Sequence, residues 1–330
     1  MKKKLCGLFI LANVFILSNF GLAQQKVDYS VVSVPEEYGI DFTMITSASD
    51  YVCMPIVQRT RNNITWLTNK IIDISPDGQN IAYLSYRNNT SNIFVKDVLK
   101  KGTSIQRTNR KAVLDFSYSP DGEFIIFSET VGKNNILFQT SSSGGFVCRQ
   151  ITTGNKDYTP TYSTDQKLIF FSRHETGSTG IWSYNIKDNY VSTYTSGMNP
   201  CPIPNSEILL CVRINGHGKG EIWKINLSTG VEECILSDME KSFSTPVLSP
   251  NGEWVLVVGS SPIHTKNSVY WNTDIYACRI DGTKLSQLTY HAADDLSPEW
   301  SGDGQYIYFI SQRGSQDGTA NIWRMTFNVL

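Results

Sequence analysis

Charge is scarce. Only 18% of the 330 residues are Asp, Glu, Lys or Arg, and the formal net charge is -1. A nucleic-acid-binding chain would carry a strongly basic face, so no nucleic-acid partner is expected. No apolar run reaches the roughly 18 residues that a membrane-spanning helix needs, so an integral membrane protein is not expected either. There is no Cys-x-x-Cys and no Cys/His cluster at zinc spacing. No Gly-x-Ser-x-Gly elbow marks a serine hydrolase. Helical periodicity is almost absent beyond the first 23 residues. The Gly-rich stretches Ser143-Gly144-Gly145 and Gly216-His217-Gly218-Lys219-Gly220 lie between β-type segments, with no helix to complete a phosphate cradle. They read as turns. The 40% hydrophobic content excludes a disordered chain.

What is present begins with an address. Lys2, Lys3 and Lys4 precede a 13-residue stretch, residues 5–17, that only Asn13 interrupts. Gly21 and Ala23 stand at the small-residue positions of a cleavage site, so residues 1–23 read as a secretory signal peptide and Gln24 as the mature N-terminus. Cys6 stands at the start of the apolar run, where a lipid-modified cysteine would follow it, and leaves with the peptide. The three lysines leave too, so 26 basic residues then face 30 acidic ones. Cys53, Cys148, Cys201, Cys211, Cys234 and Cys278 remain. In an exported chain these permit up to three disulfides, but a chain this long can also simply bury them.

A repeat then runs to the C-terminus. Ser75-Pro76-Asp77-Gly78 returns as Ser119-Pro120-Asp121-Gly122, as Ser249-Pro250-Asn251-Gly252 and as Ser301-Gly302-Asp303-Gly304. Ser163-Thr164-Asp165-Gln166 and Ile203-Pro204-Asn205-Ser206 are degraded copies. The spacings of 44, 44, 40, 46 and 52 residues are those of a solenoid, a propeller or an array. Pro pre-sets φ in this turn and Gly accepts φ > 0. A β-rich run follows each copy, then a polar loop, then an Ile with a large apolar neighbour (Ile93-Phe94, Ile181-Trp182, Ile222-Trp223, Ile275-Tyr276, Ile322-Trp323), then a short strand ending in Thr or Ser. With the strand before each tetrapeptide, every repeat supplies four strands. This predicts an all-β, six-bladed β-propeller over residues 64–330, after a lead-in over residues 24–63. The last copy lacks its fourth strand, and Ile64-Thr65-Trp66-Leu67-Thr68 is the expected N-terminal strand that completes the final blade and removes the open edges.

The tetrapeptide turns, the Ile-aromatic strand and the Leu-Thr-type endings resemble the WD-like repeats of the TolB propeller family. The best match is residues 291–304, from His291-Ala292-Ala293-Asp294-Asp295 to Ser301-Gly302-Asp303-Gly304. The resemblance implies a propeller that works in the cell envelope. The α/β domain that precedes the propeller in TolB has no counterpart in the roughly 40 residues of the lead-in. The same repeats occur in oligogalacturonate lyases and in the propellers of prolyl peptidases.

Several residues could carry chemistry. His174, His217 and His264 fall in loops between second and third strands, and His291 between a fourth and a first, on one face of a propeller. Converging, they would hold a metal; scattered, they are solvated loop residues. Asp157 and Asp295 stand six residues before their tetrapeptides, and Pro160, Pro200, Pro246 and Pro298 stand three before. At the channel mouth the two carboxylates would form an acid/base pair or bind an ion. The plainer expectation is that Asp caps the turn and Pro opens the inner strand, where no N–H is missed. Phe94, Trp182, Trp223, Tyr276 and Trp323 repeat at one strand position and are expected between neighbouring blades. The long loop 260–273 holds His264, Lys266, Tyr270 and Trp271, residue types that anchor interfaces. Arg87, Arg173, Arg213 and Arg313 extend the same face.

The expected function is a non-enzymatic, exported binding or scaffold propeller of the periplasm or cell envelope. It would need no cofactor and would present this face to an envelope protein, a peptide or a glycan. The alternative is a metal-dependent enzyme acting on acidic oligosaccharides in the manner of an oligogalacturonate lyase. A purely extracellular scaffold is a third possibility.

Overall fold

The computed structural model describes residues 29–328 apart from 56, 60–64, 68–69, 101, 176–177 and 265–268. The signal-peptide segment lies outside the described residues. Among those described, the strands form four four-stranded sheets, one eight-stranded sheet and a two-stranded hairpin. The first sheet is Ile72–Ile74, Asn80–Arg87, Thr90–Asp97 and Ile105–Gln106, each strand antiparallel to the next. The eight-stranded sheet is two such groups. Val113–Tyr118, Phe124–Val131, Asn134–Ser141 and Cys148–Gln150 form one. Lys156–Tyr162, Leu168–Glu175, Ser178–Asn185 and Tyr190–Ser196 form the other. They are joined by one parallel pair, Asn135 with Lys156. Met198–Pro202 to Glu232–Leu236 and Ser242–Leu248 to Ser286–Gln287 make two further sheets. The last comprises Asp295–Trp300, Tyr306–Ser311 and Asn321–Thr326.

Its fourth strand is Phe42–Met44, paired with Trp323, Arg324 and Met325. This corrects the expected role of residues 64–68. Thr65–Leu67 instead pairs with Val57–Arg59 as a local hairpin. The choice has a packing reason: Phe42 joins the apolar cluster of the last sheet, with its ring edge-on to Phe309 at 6.2 Å.

The repeated tetrapeptide makes the turn between first and second strands. The Ser75 hydroxyl donates to Asp77 and accepts from the Asn80 N–H, while the Gly78 N–H donates to the Ser75 carbonyl. Ser119, Ser249 and Ser301 repeat the motif, and the Gly that follows takes φ of 70–75° in each. In the fourth copy the left-handed residue is Asn205, one position earlier.

The first strands depart from expectation at their prolines. Thr159, Asn199, Thr245 and Ser297 each precede a Pro and each has φ near +50°. Register shifts fall there, between Tyr158 and Thr161, Met198 and Cys201, Ser244 and Val247, and Leu296 and Glu299. Pro160, Pro200, Pro246 and Pro298 therefore sit in bulges inside the strands, not at their first residues. A bulge frees one residue from the ladder, so a proline there forfeits no hydrogen bond.

The core lies between neighbouring sheets. Phe94, Tyr276 and Trp323 are buried, and Trp182 and Trp223 pack partly buried against it. Guanidinium groups cover several of these rings: Arg87 lies 4.2 Å from the Phe94 centroid, Arg173 4.5 Å from Trp182 and Arg213 4.8 Å from Trp223.

Candidate functional site: a proline-walled channel cavity

The first strands and the tetrapeptide turns of several sheets line one cavity of about 480 Å³. That is within the size range of ligand pockets. Seven of the chain's 12 prolines line it, among them Pro76, Pro160, Pro204 and Pro250. The bulges bring in Pro160, Pro200 and Pro246, each behind a Thr or Asn on a first strand, and the tetrapeptide turns bring in Pro76, Pro204 and Pro250. The prolines have no N–H and keep their carbonyl acceptors, while Thr159, Thr161, Asn199 and Thr245 add polar side chains to the wall.

The cavity holds one ionic cluster. Lys70 Nζ lies 3.0 Å from Asp73 Oδ1 and 2.6 Å from Glu299 Oε2. Asp73 Oδ2 also accepts from the Tyr118 N–H at 2.8 Å. Burial works against the charge of Lys70, but Asp73 and Glu299 outweigh it and hold the ammonium above its ordinary value. Burial pushes the Glu299 carboxyl up to about 7, with Lys70 opposing. Burial likewise raises the neighbouring Cys201 thiol to about 11. Sequence reasoning missed Lys70, Asp73 and Glu299. The one available signal was position, because Glu299 follows the bulge proline Pro298 on an inner strand.

The residues picked out from the sequence are distributed otherwise. Asp157 is fully buried and binds Arg173 at both oxygens, 2.7 and 3.0 Å. Asp295, also fully buried, binds Arg313, which reaches Glu37 of the lead-in as well, at 3.1 Å. Burial raises Asp295 to about 6 against the pull of Arg313. The two aspartates are thus sealed in separate arginine pairs. They form no acid/base couple, and instead of capping a turn each is taken up by an arginine, Arg173 on the next strand and Arg313 just past the end of the next strand. Arg173 and Arg313 are buried with them and offer no open polar face. Arg213 is held by Glu232 at 2.6 and 2.7 Å, and Arg87 by the Asp50 carbonyl and the Ser85 hydroxyl.

Trp271 is only 9% exposed and lies under Lys219, whose Nζ is 4.6 Å from the ring centroid. It packs into the body and is not an exposed anchor. Lys266 lies outside the described residues, as do the side chains of His264 and Tyr270; their backbones belong to the paired strands Trp254–His264 and Val269–Arg279. His174 is exposed beside Thr179 Oγ1, at 3.0 Å, and His217 is exposed. His291 is fully buried, accepts from the Ala293 N–H through Nδ1, and is held below its ordinary value by burial. Among the described residues no three His, Cys, Asp or Glu gather to hold a metal ion. Among the described residues no two of the six cysteines form a disulfide.

The lead-in occupies part of the face that these residues were expected to present. The Gly314 and Ser315 N–H groups donate to the carbonyls of Val31 and Tyr29, and Arg313 donates to Val32. Asp50 gathers Lys96, Tyr83 and Ser104 around its carboxylate. Cys53 then pairs with Leu84 along the first sheet.

A family model described as the TolB beta propeller domain matches residues 21–270. Among solved structures, TolB from Acinetobacter baumannii is 17% identical with a TM-score of 0.59, over 76% of this chain and 64% of that one. This chain thus spans under two thirds of that protein. A protein described as a TolB from Agrobacterium tumefaciens is 17% identical with a TM-score of 0.58, over 79% and 90% of the two chains. An oligogalacturonate lyase solved with manganese is 11% identical with a TM-score of 0.57, over 91% and 95%. At these identities the likeness is one of fold.

Proposed function

Because this chain belongs to the TolB beta propeller domain family, we propose that it is an exported, non-enzymatic binding propeller of the periplasm or cell envelope that takes a protein or peptide partner at its channel mouth. In this reading the signal peptide ends at Ala23. Six blades then close into a ring, with Phe42–Met44 as the strand that completes the last one. The observation that carries the reading is the proline-walled cavity, a concave and partly polar site that the internal arginine pairs leave open. No helix among the described residues is long and apolar enough to cross a membrane.

The likeness to oligogalacturonate lyase supports a second reading, a metal-dependent enzyme on acidic oligosaccharides. His174, His217, His264 and His291 would be its metal ligands. The described residues do not fit such a centre, since His174 and His217 are exposed and His291 is buried on its own backbone contact.

Photo-crosslinking separates the two. A benzoylphenylalanine at Thr161, on the cavity wall, should trap one defined envelope protein, and the same residue at exposed Lys133 should not. N-terminal sequencing of the same preparation should begin at Gln24. No adduct at Thr161, together with manganese-dependent cleavage of oligogalacturonate, would replace the binding reading with the lyase.

A further inference from the structure

We infer that the channel cavity receives a primary ammonium group, carried by the partner peptide as its amino terminus. The inference rests on the binding reading above and adds the chemistry of the ligand.

Charge gives the first reason. Lys70 is the cation of the cavity cluster, and it already meets two carboxylates, Asp73 at 3.0 Å and Glu299 at 2.6 Å. The cluster carries a net negative charge when all three are ionised. A buried unbalanced charge is costly, and a second cation would relieve it. An anionic ligand would have to displace one of the carboxylates from Lys70.

Hydrogen-bonding capacity gives the second, and it is independent. The Thr245 side chain lines the cavity, is 4% exposed, and its Oγ1 has no partner. Left so, a buried hydroxyl forfeits a hydrogen bond. Thr245 lies on Ser242–Leu248 and Glu299 on Asp295–Trp300, neighbouring inner strands. The seven prolines of the wall keep their carbonyls and lack an N–H. An ammonium can donate to the Thr245 hydroxyl and to the Glu299 carboxylate together. A carboxylate or a phosphate can accept from Thr245 but meets Glu299 and Asp73 as like charges.

Calorimetry on the chain from Gln24 to Leu330 tests this with Ala-Ala-Ala-Ala-amide bearing a free amino terminus, its N-acetylated form, and 1,5-diaminopentane. The free peptide should bind, and acetylation should weaken it by at least about tenfold. Glu299→Gln should erase the difference between the two peptides. Thr245→Val should narrow it several-fold while the thermal transition stays in place. Equal binding of free and acetylated peptides would overturn the inference. So would binding of the diamine without the peptide, since the site would then serve a free amine. If no probe binds while Thr161 still crosslinks a partner, the ammonium assignment fails and the binding reading stands. If both fail, both fall.

Discussion

Asp115 is fully buried, and among the described residues no cation pairs with it. Its carboxylate accepts from the Ser128 hydroxyl, and burial pushes it up to about 7. The unfolded chain would lose the same proton near pH 4. Between those values the folded chain holds the extra proton, so stability falls as pH rises through 7. Glu299, at about 7, and Asp295, at about 6, pull the same way. Thermal melts should therefore show a lower Tm at pH 8 than at pH 5. Asp115→Asn should raise the Tm at pH 8 by a few degrees and flatten that dependence. An unchanged slope in the variant would mean that Asp115 does not carry it. Asp50 differs in sign: burial opposes it, but Lys96 and Ser104 hold it at about 2, so its contribution is lost only in strong acid. Gly220 sets another limit. A Cβ there would lie 2.2 Å from the Phe243 carbonyl of the next sheet, a backbone atom that cannot step aside. Gly220→Ala should cost about 1–3 kcal/mol in chemical denaturation.

Among the elements, the lead-in most changes the reading of the face. Arg313 is buried between Asp295 of its own sheet and Glu37 of the lead-in. Arg313→Met leaves two carboxylates buried without their cation and should cost about 3–5 kcal/mol. Glu37→Gln keeps the Arg313–Asp295 pair and should cost clearly less. Denaturation midpoints of the two variants check the order, and equal losses would deny the lead-in its place as the weaker partner. The turns were legible in advance because Ser75, Asp77 and Gly78 act on one another within a few residues. The Ile-aromatic strands were legible for the same reason, as a local pattern repeated. The closing strand was not. Thr65–Leu67 looks like a fourth strand by composition, and only the packing of Phe42 on Phe309, far along the chain, decides for Phe42–Met44. The bulges escaped as well, since a proline reads as a strand end until the left-handed residue before it is seen.

At the scale of the whole molecule, the candidate site is built by none of the repeats alone. Lys70 comes from the segment before the first sheet, Thr245 from the fifth repeat and Glu299 from the sixth, and no spacing in the sequence ties them together. The residues that looked functional, Asp157 with Arg173 and Asp295 with Arg313, form the same kind of buried pair in two of the repeats, which is a structural use of charge. The repeat positions mark the wall of the site, but not the charged residues that stand in it. The pairing of Phe42–Met44 with Asn321–Thr326 has one more consequence. These partners lie 281 positions apart at the hydrogen-bonded members Thr43 and Arg324. Phe42–Met44 must wait until every other described strand has been made before its own partner exists, so this sheet is the last whose strands are all available. Losing Phe42–Met44 would strip one edge from that sheet, whereas losing Asn321–Thr326 would also cut Phe42–Met44 away from Tyr306–Ser311; new ends cut at an exposed turn such as Gly230, with the old ones joined, should keep both pairings.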